Sequence, residues 1–555
     1  MSEWPSRQSA RKIMLFVAIA LVALTFVPYL TQALNPPPGR VFAWMFFRLP
    51  DEASYLMWIQ QHAAGRFFVE NRMALDVQGQ IPPNPVWLLL GFAQKVTGLS
   101  GIAIYHAGRA VLALCYFWVL SSLCLTVLPT PRQALVCFLS ILVGSGLGWL
   151  WDVGIPLRSA DWITEMWSFP SIFHYPHFAA ALALLAYGLK ELWLSYEKGP
   201  KLDLVLATLT NPRPFEGPAL KIDSHSIKAG LAWAFLVWVH PYTAGTVYLA
   251  LGLTMLVTFI RMLTGRAFGA FDLTTRVEIW FAILKPGVVV LGLGTLSVGL
   301  MAGLLFTSPA MQSWAALNRL PSPSPFAYLL GFGFVGLLAL AGIVKKLRRT
   351  DFPWHFLIGW LVTAMALAYA GPLIPFERRC IEGVHIALAI FATVAIGPFF
   401  DRLSKRAAII ALIVLAAALA PTNAVMLWKE ATAKSPSAQI KDDWPQLFAA
   451  VRDLPEPRTV CTDPRTAMFL AGFAAAKVNT GHDQLTPNLN QKAAKFHEFS
   501  TTPASWDLRV KWMQDAGCQW LVLTPKTMAA LPKDNFPEPV KAGKTWVIVG
   551  PAESP

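Results

Sequence analysis

Residues 229–263 read AGLAWAFLVWVHPYTAGTVYLALGLTMLVTFIRML, an apolar stretch whose length and composition decide the fold class. A helix needs about 20 apolar residues to cross a bilayer, so the stretch holds two crossings only if the chain turns at His240-Pro241. Proline removes a helix donor and favours a break at this point. The stretch therefore predicts a helical hairpin in a membrane, with His240 at its tip.

Comparable apolar stretches recur along the chain, and together with the hairpin they predict about eleven membrane spans. Charged residues make up 14% of the chain and AVILMFWYC 55%, whereas soluble domains carry about 25% charge. This composition excludes a purely soluble enzyme, a disordered chain and a disulfide scaffold. The other spans lie near residues 13–30, 101–128, 133–151, 174–195, 286–306, 325–344, 354–371, 383–400 and 407–427.

The density of charge divides the chain into two parts. Residues 1–428 are roughly 12% charged and residues 429–555 roughly 22%, near the average of soluble proteins. We therefore predict a transmembrane domain at 1–428, with a long outer loop at 31–100, followed by a soluble domain at 429–555. The fold class is an α-helical polytopic membrane protein with a small extracytoplasmic α/β domain at its C-terminal end.

The distribution of Lys and Arg predicts the orientation. The net charge is +14, and with the N-terminus inside, the short inner segments carry 21 Lys and Arg whereas the outer connections carry Arg158, Arg319, Arg378 and Arg379. Basic loops stay in the cytoplasm. The protein is therefore predicted to be integral to the cytoplasmic (inner) membrane, with the C-terminal domain outside. The orientation of the protein in the membrane explains the excess of basic residues, and no nucleic-acid partner is expected.

The C-terminal part alternates predicted strands and helices, which is typical of an α/β domain. Cys461 and Cys518 both fall in it, on the oxidising side of the membrane. A disulfide and two unpaired buried thiols are both compatible with the sequence, and unpaired thiols are the favoured interpretation. The strands are predicted at 458–461, 476–479, 518–523 and 545–549, and the helices near 464–475, 488–499 and 504–516.

Ionisable side chains at membrane depth are costly and tend to mark function. In the predicted topology they gather at the outer face, whereas the inner face offers basic connections and no phosphate-binding glycine motif. The outer candidates are Asp51, Glu52, Asp161, Glu165, His174, His177, His240, Glu377, Arg378, Arg379, Glu382 and His385.

The first outer cluster begins Leu49-Pro50-Asp51-Glu52, at the start of a predicted amphipathic helix. Carboxylates in a first helical turn are held ionised by the helix dipole. An ionised carboxylate there could take a proton from an incoming hydroxyl. Capping of the helix by Asp51 and Glu52 is the alternative, and residue type alone favours it.

The second outer cluster runs from Gly371 to His385 and contains Arg378-Arg379 at the outer mouth of a span, against the orientation rule. Two guanidinium groups beside a helix N-terminus are suited to a phosphate ester. Pairing with Glu377 or Glu382, or anchoring to lipid head groups, is the alternative. Glu382 and His385 would line the same site.

The histidines of His174-Tyr175-Pro176-His177 and of His240-Pro241 lie at span boundaries, where interfacial placement is the simpler interpretation. Two or three of them with Asp161 or Glu165 could hold a divalent metal, although their spacing is dispersed. We assign no metal ligands, and a divalent metal stays open as a cofactor.

The sequence also resembles a family. An acidic pair after the first span, in the context Pro50-Asp51-Glu52-Ala53-Ser54-Tyr55, followed by Pro82-Pro83 and the apolar run 86–90, resembles the first outer loop of GT-C membrane glycosyltransferases. The protein O-mannosyltransferase and aminoarabinose transferase branch is the nearest in pattern. The motif covers roughly 40 residues and the topology covers the chain. The family often has a lysine before the Pro-Pro pair, whereas Gln80-Ile81 stand here.

The resemblance implies a polyprenyl-phosphate or diphosphate sugar donor, an extracytoplasmic acceptor (glycan, lipid or protein) and contact with membrane lipids. It implies that Asp51 is the base for the acceptor hydroxyl and that Glu52 positions the acceptor or the base. Arg378 and Arg379 would neutralise the leaving phosphate. The acids and the arginines are then expected to share one outer cavity, and a single base predicts inversion at the sugar carbon.

Three other functions compete with a glycosyltransferase. A transporter or flippase of an anionic lipid or lipid-linked sugar would use the outer Arg and His side chains to line a pathway, although such proteins place polar groups near the midplane and often show repeats. A polysaccharide ligase or polymerase would not need Asp51-Glu52. A scaffold would not need about eleven spans.

Overall fold

The computed structural model describes residues 4–76, 78–198, 222–264, 273–347, 351–371, 374, 376–433, 439–502, 504–529, 531, 536 and 538–550. Six basic residues used above to predict the orientation lie outside these ranges: Lys201, Arg213, Lys221, Arg266, Arg348 and Arg349. Pro372, Leu373 and Pro375 of the second outer cluster also lie outside them.

Helices dominate the described part of the chain. In the transmembrane half they are Arg7–Leu24, Val27–Leu34, Leu49–Ala63, Pro85–Thr97, Gly101–Val127, Pro131–Leu142, Ser168–His174, Pro176–Lys198, Ser224–Val239, Pro241–Thr264, Leu273–Thr307, Pro309–Leu317, Pro325–Leu347, Phe352–Leu367, Val384–Arg402, Lys405–Leu419 and Pro421–Thr432. In the C-terminal part they are Trp444–Arg452, Pro464–Phe473, Leu489–Thr501, Trp506–Asp515 and Pro525–Met528.

Seven helical stretches within the described residues are long and apolar enough to cross a bilayer, or eight if a bent pair is one span. Two shorter apolar helices, Pro131–Leu142 and Phe352–Leu367, add to them. The chain is an integral membrane protein, and the count of eleven spans stays a prediction. The stretches are Arg7–Leu34, Gly101–Val127, Pro176–Glu197, Pro241–Arg261, Ile283–Thr307, Pro325–Leu347 and Glu377–Arg402, and the bent pair is Lys405–Leu419 with Pro421–Thr432.

The predicted break in the long apolar stretch is confirmed. One helix ends at Val239 and the next begins at Pro241, and His240 between them has a non-helical backbone (φ −148°, ψ 82°). Proline cannot donate to the preceding turn, so the ladder of hydrogen bonds is interrupted at this residue.

The chain divides into two compact units. The first comprises residues 1–26, 108–303 and 320–429, and the second residues 27–107, 304–319 and 430–555. In the first unit, Pro325–Leu347 packs closely on Val384–Arg402: a Cβ at Gly342 would lie 1.9 Å from the Phe391 carbonyl oxygen. Small residues allow membrane helices this approach.

The second unit joins the first outer loop to the C-terminal part. The strand Arg40–Phe42 pairs antiparallel with Gln439–Lys441, and Val69–Glu70 pairs with Gln80–Ile81. A Cβ at Gly472 in the helix Pro464–Phe473 would lie 3.0 Å from Ala53 in the helix Leu49–Ala63. The loop and the C-terminal part, which the sequence analysis treated as separate pieces, therefore pack as one body.

Each of the four predicted strands of the C-terminal part coincides with a strand of a five-stranded sheet. In sheet order the strands are Lys477–Val478, Thr459–Cys461, Trp520–Leu523, Val547–Val549 and Lys541–Ala542. The first three run parallel, and Val547–Val549 is antiparallel to both of its neighbours. The helices predicted near 464–475, 488–499 and 504–516 are also present.

Cys461 and Cys518 form a disulfide with their Cα atoms 5.6 Å apart. The favoured interpretation of unpaired thiols is therefore wrong, because two parallel neighbouring strands bring the two cysteines together in one core. The sequence separation is 57 residues, for which the chain-entropy estimate of stabilisation is about 4 kcal/mol.

Candidate functional site

The acidic pair lies at the start of the helix Leu49–Ala63, as predicted. Pro50 stands in the first turn, and Arg48 at the N-cap makes no side-chain capping bond. Glu52 is 1% exposed, and its Oε2 accepts a hydrogen bond from the Phe46 backbone N–H at 3.0 Å. Glu52 therefore fixes the segment that leads into the helix.

Asp51 has a partner from the C-terminal part of the same unit. Its Oδ1 lies 2.7 Å from Nε2 of His482, and its Oδ2 lies 3.7 Å from Nε of Arg48. The side chain of Asp51 is 13% exposed and that of His482 only 3%. The contact holds the Asp51 carboxylate in one orientation while leaving part of it accessible. A residue that only caps the helix would not need such a partner.

The other side of His482 faces a second acid. Nδ1 lies 3.0 Å from Oδ1 of Asp483 and 2.8 Å from the backbone N of Gln484. Asp483 in turn pairs with Arg48 at 3.1 Å. A neutral His482 donates from Nε2 to Asp51 and accepts at Nδ1 from Gln484, whereas a protonated His482 donates to both acids.

These contacts shift two pKa values in opposite directions. Burial lowers the pKa of His482, but the hydrogen bonds and negative charges of Asp483 and Asp51 outweigh it, so the pKa is raised above 6.5. The hydrogen bond from His482 lowers the pKa of Asp483 to about 2. His482 thus favours its charged form beside the Asp51 carboxylate.

His482 was not among the residues that the sequence analysis selected. Its partner Asp51 is 431 positions away, and no periodicity connects positions so far apart. The available signal is the pair His482-Asp483, which begins three residues after the predicted strand at 476–479. Loops at strand ends often carry functional side chains.

In the first unit, Arg378 and Arg379 converge on Glu165. An Nη atom of Arg378 lies 3.3 Å from Glu165 Oε1, and Nε of Arg379 lies 3.8 Å from the same oxygen. Burial raises the pKa of Glu165, but the charges of Arg378 and Arg379 outweigh it and the pKa is lowered. Two cations share one ionised carboxylate, so this cluster retains a positive charge that Glu165 does not offset.

The alternative interpretation, in which the arginines pair with Glu377 or Glu382, is wrong, because both arginines contact Glu165. Glu377 accepts hydrogen bonds from the backbone N–H groups of Ser322 and Gly371 at 2.8 and 2.7 Å. Glu165 takes the arginines because its short 3-10 turn, Thr164–Met166, packs on the turn Glu377–Ile381.

Glu382 pairs with His240 at the break between the helices Ser224–Val239 and Pro241–Thr264. Its Oε2 lies 2.5 Å from Nδ1 of His240 and accepts a hydrogen bond from Thr243 Oγ1 at 2.6 Å. The His177 ring lies 6.2 Å from the His240 ring, centroid to centroid. All of these side chains are buried, so His177 and His240 belong to a polar cluster inside the protein, and interfacial placement does not describe them.

Three other candidates have separate environments. Nε2 of His385 lies 2.8 Å from Ser168 Oγ. His174 is 1% exposed and its ring lies 4.6 Å from that of Phe173. Asp161 accepts hydrogen bonds from backbone N–H groups of residues 146 and 148 and from Ser159, so its carboxylate stabilises a loop.

No group of three or more His, Cys, Asp or Glu side chains is arranged to hold a metal within the described ranges. Asp161 and Glu165, the acids considered as metal ligands, are engaged by the loop and by the arginines. The acids at 51–52 and the arginines at 378–379 belong to different units, and the expectation of a shared cavity stays a prediction.

No family model and no curated protein sequence matches the chain. Solved structures do match it. ArnT from Cupriavidus metallidurans in the apo state is 15% identical, with a TM-score of 0.53, over 97% of this chain and 98% of that chain. The oligosaccharyltransferase of Archaeoglobus fulgidus tethered to an acceptor peptide is 14% identical, with a TM-score of 0.51, over 92% of this chain and 69% of that chain.

Arabinofuranosyltransferase AftD from Mycobacteria is 13% identical, with a TM-score of 0.52, over 98% of this chain and 41% of that chain. All three structures are GT-C glycosyltransferases. The chain has the GT-C fold. The resemblance based on the 50–55 motif is thereby confirmed at the level of fold, and the acidic pair of this GT-C chain lies in the unit that contains its first outer loop.

The raised pKa of His482 predicts a pH-dependent stability. A histidine whose folded pKa exceeds its unfolded value of about 6.5 stabilises the fold fully below that pH, and the contribution disappears as the pH rises through the folded pKa. We expect the melting temperature of the wild type to exceed that of His482→Gln by a margin that is largest below about pH 6.5 and shrinks as the pH rises above it. Asp483 does not change charge in this window, because its pKa is about 2. A margin constant with pH would contradict the account.

Proposed function

We propose that the chain is a glycosyltransferase that moves a hexosyl or pentosyl group from a polyprenyl-phosphate donor to an acceptor on the extracytoplasmic face of the cytoplasmic membrane. The observation that carries the proposal is the Asp51 carboxylate, held by His482 at 2.7 Å in the first outer loop of a GT-C fold. One ArnT structure of this fold was solved with undecaprenyl phosphate bound, which supports a lipid-linked donor.

Asp51 is the base of the proposed reaction. Its carboxylate takes the proton of the acceptor hydroxyl as the acceptor oxygen forms a bond to the anomeric carbon. The bond from that carbon to the phosphate oxygen breaks, and its electron pair leaves with the phosphate. A single base and no carboxylate nucleophile give inversion at the sugar carbon.

Arg378 and Arg379 offset the charge that grows on the departing phosphate. Glu165 orients both side chains, and the charge that it leaves uncompensated is available to the phosphate. Side-chain exposures of 26% and 15% leave guanidinium donors accessible, and the fork of a guanidinium matches phosphate oxygens.

The orientation follows from the excess of Lys and Arg in the inner segments, which places the N-terminus in the cytoplasm. The outer loop and the C-terminal part are then both extracytoplasmic. The disulfide Cys461–Cys518 supports an extracytoplasmic location of the C-terminal part, because disulfides persist in oxidising compartments.

The variant Asp51→Asn tests the role of Asp51 as the base. Asp51→Asn removes the proton acceptor but keeps the size and a hydrogen-bond acceptor, so we expect sugar transfer to fall by about 10²–10⁴-fold with donor binding nearly unchanged. The measurement is release of polyprenyl phosphate by the purified protein from a panel of polyprenyl-phosphate sugars. Asp442→Asn, an exposed aspartate of the same unit, is the matched control.

Full transfer activity in Asp51→Asn would remove Asp51 from the role of base. If the wild type instead moves the intact donor across proteoliposome membranes without releasing polyprenyl phosphate, the flippase alternative replaces the transferase.

Variants of Arg378 and Arg379 test the binding of the phosphate. Arg378→Ala or Arg379→Ala removes charged hydrogen-bond donors, and we expect the KM for the donor to rise roughly tenfold or more. Arg378→Lys keeps the charge but loses the fork, so its effect should be intermediate. Arg319→Ala, at another exposed outer arginine, should leave the KM unchanged. Unchanged donor binding and turnover in both alanine variants would show that the phosphate lies elsewhere.

A further inference from the structure

The second unit contains a cleft of about 740 Å³, and Asp51 is not among the residues that line it. Pockets for small ligands commonly enclose 300–1,000 Å³. The walls come from the first outer loop at residues 75–76, from the starts of the strands Thr459–Cys461 and Lys477–Val478, and from the helices Leu489–Thr501 and Trp506–Asp515. None of its lining residues belongs to the reaction proposed above.

One wall is aromatic and rigid. Trp512 stacks on Phe499 with ring centroids 4.5 Å apart and planes at 30°. Phe499 is buried in the core that contains the disulfide Cys461–Cys518, and Trp512 is partly buried against that core. Leu508 on the same wall is 58% exposed. The wall therefore offers an apolar surface of the kind on which the C–H face of a sugar ring packs.

The cleft also carries cations. Lys492 forms an ion pair with Asp76, whereas Lys477, Lys495 and Arg509 have no ion-pair partner in the described part of the chain. The acidic residues Glu498 and Asp515 of the cleft are exposed to solvent. Over all its lining residues the cleft carries four basic side chains (Lys477, Lys492, Lys495 and Arg509) and three acidic ones (Asp76, Glu498 and Asp515), a net charge of +1, and this excess favours an anionic ligand.

Arg509 is the most informative of these cations because it is only 3% exposed. Its Cζ lies 5.1 Å from the centre of the Phe499 ring, and one Nη donates to the Thr502 carbonyl at 2.7 Å. Its other Nη is buried and lacks a hydrogen-bond partner among the described residues. A buried charged donor without an acceptor is costly, and a carboxylate or phosphate on a ligand would supply one.

A second cavity of about 550 Å³ shares Asp76 and Lys477 with the cleft. Its walls include Arg66 and the exposed rings of Phe67 and Phe68. Two cavities with shared walls, each combining aromatic and basic side chains, suit an extended ligand with repeating sugar rings better than one small molecule.

We propose that this cleft binds an anionic oligosaccharide, which is the part of the acceptor that the enzyme recognises outside its reaction centre. The proposal rests on the proposed function only where it assigns the oligosaccharide to the acceptor. The binding itself requires neither donor nor turnover. Trp512 and Phe67-Phe68 supply packing surfaces for sugar rings, and Lys477, Lys495 and Arg509 bind the acidic groups.

The test uses the full-length protein in detergent, titrated by calorimetry with oligogalacturonate and with its methyl-esterified, neutral form. We expect the acidic oligosaccharide to bind and the neutral form to bind at least roughly tenfold more weakly. Lys495→Glu and Lys477→Glu should each weaken the acidic ligand roughly tenfold. Lys526→Glu, an exposed lysine of the same unit outside the cleft, should leave its affinity unchanged.

Three results would overturn the proposal: no binding of the acidic oligosaccharide, equal binding of the neutral form, or equal weakening by Lys526→Glu. Release of polyprenyl phosphate is measured in parallel on the same preparations. Oligosaccharide binding without any release would contradict the proposed function alone, whereas release without oligosaccharide binding would contradict this inference alone.

Discussion

The hydrogen bond between His482 and Asp51 is the interaction on which the account of the second unit depends. It connects the first turn of the helix Leu49–Ala63 to a loop more than 400 residues later, at 2.7 Å and largely out of solvent. The strand pair Arg40–Phe42 with Gln439–Lys441 and the close approach at Gly472 bring the two chain segments together. A base must be held in a defined orientation to be effective, and here the C-terminal part provides that support.

The first unit contains a buried carboxylate, Glu165, beside two arginines. Burying Glu165 costs solvation energy. The Coulomb attraction of two arginines offsets this cost, so the carboxylate stays ionised. One carboxylate shared by two guanidinium groups keeps both side chains ordered and offsets only one of their two positive charges. At His240, Thr243 and Glu382 the polar atoms satisfy one another within 2.5–2.7 Å, which explains how the chain tolerates a break between two helices inside the protein.

The sequence predicted what depends on local composition. Hydropathy identified the apolar helices, the proline after His240 located the break, and alternation located the four strands of the C-terminal sheet. Contacts between distant segments were missed, because periodicity carries no information about them. Asp51–His482, Glu165–Arg378 and Cys461–Cys518 are separated by 431, 213 and 57 residues. Glu377 and Glu382, the partners considered in the alternative interpretation, are nearer to the arginines along the chain than Glu165, so nearness along the chain did not identify the partner.

The central claim is that Asp51 acts as the base of a lipid-linked sugar transfer and that His482 positions it. The most direct measurement is the rate of polyprenyl phosphate release by wild type and by His482→Ala, with folding of the variant checked by its melting temperature. The account predicts that kcat falls by roughly tenfold or more in the variant while the donor KM changes by less than about twofold. Wild-type kcat in a folded His482→Ala protein, or no release by the wild type from any donor tried, would contradict it.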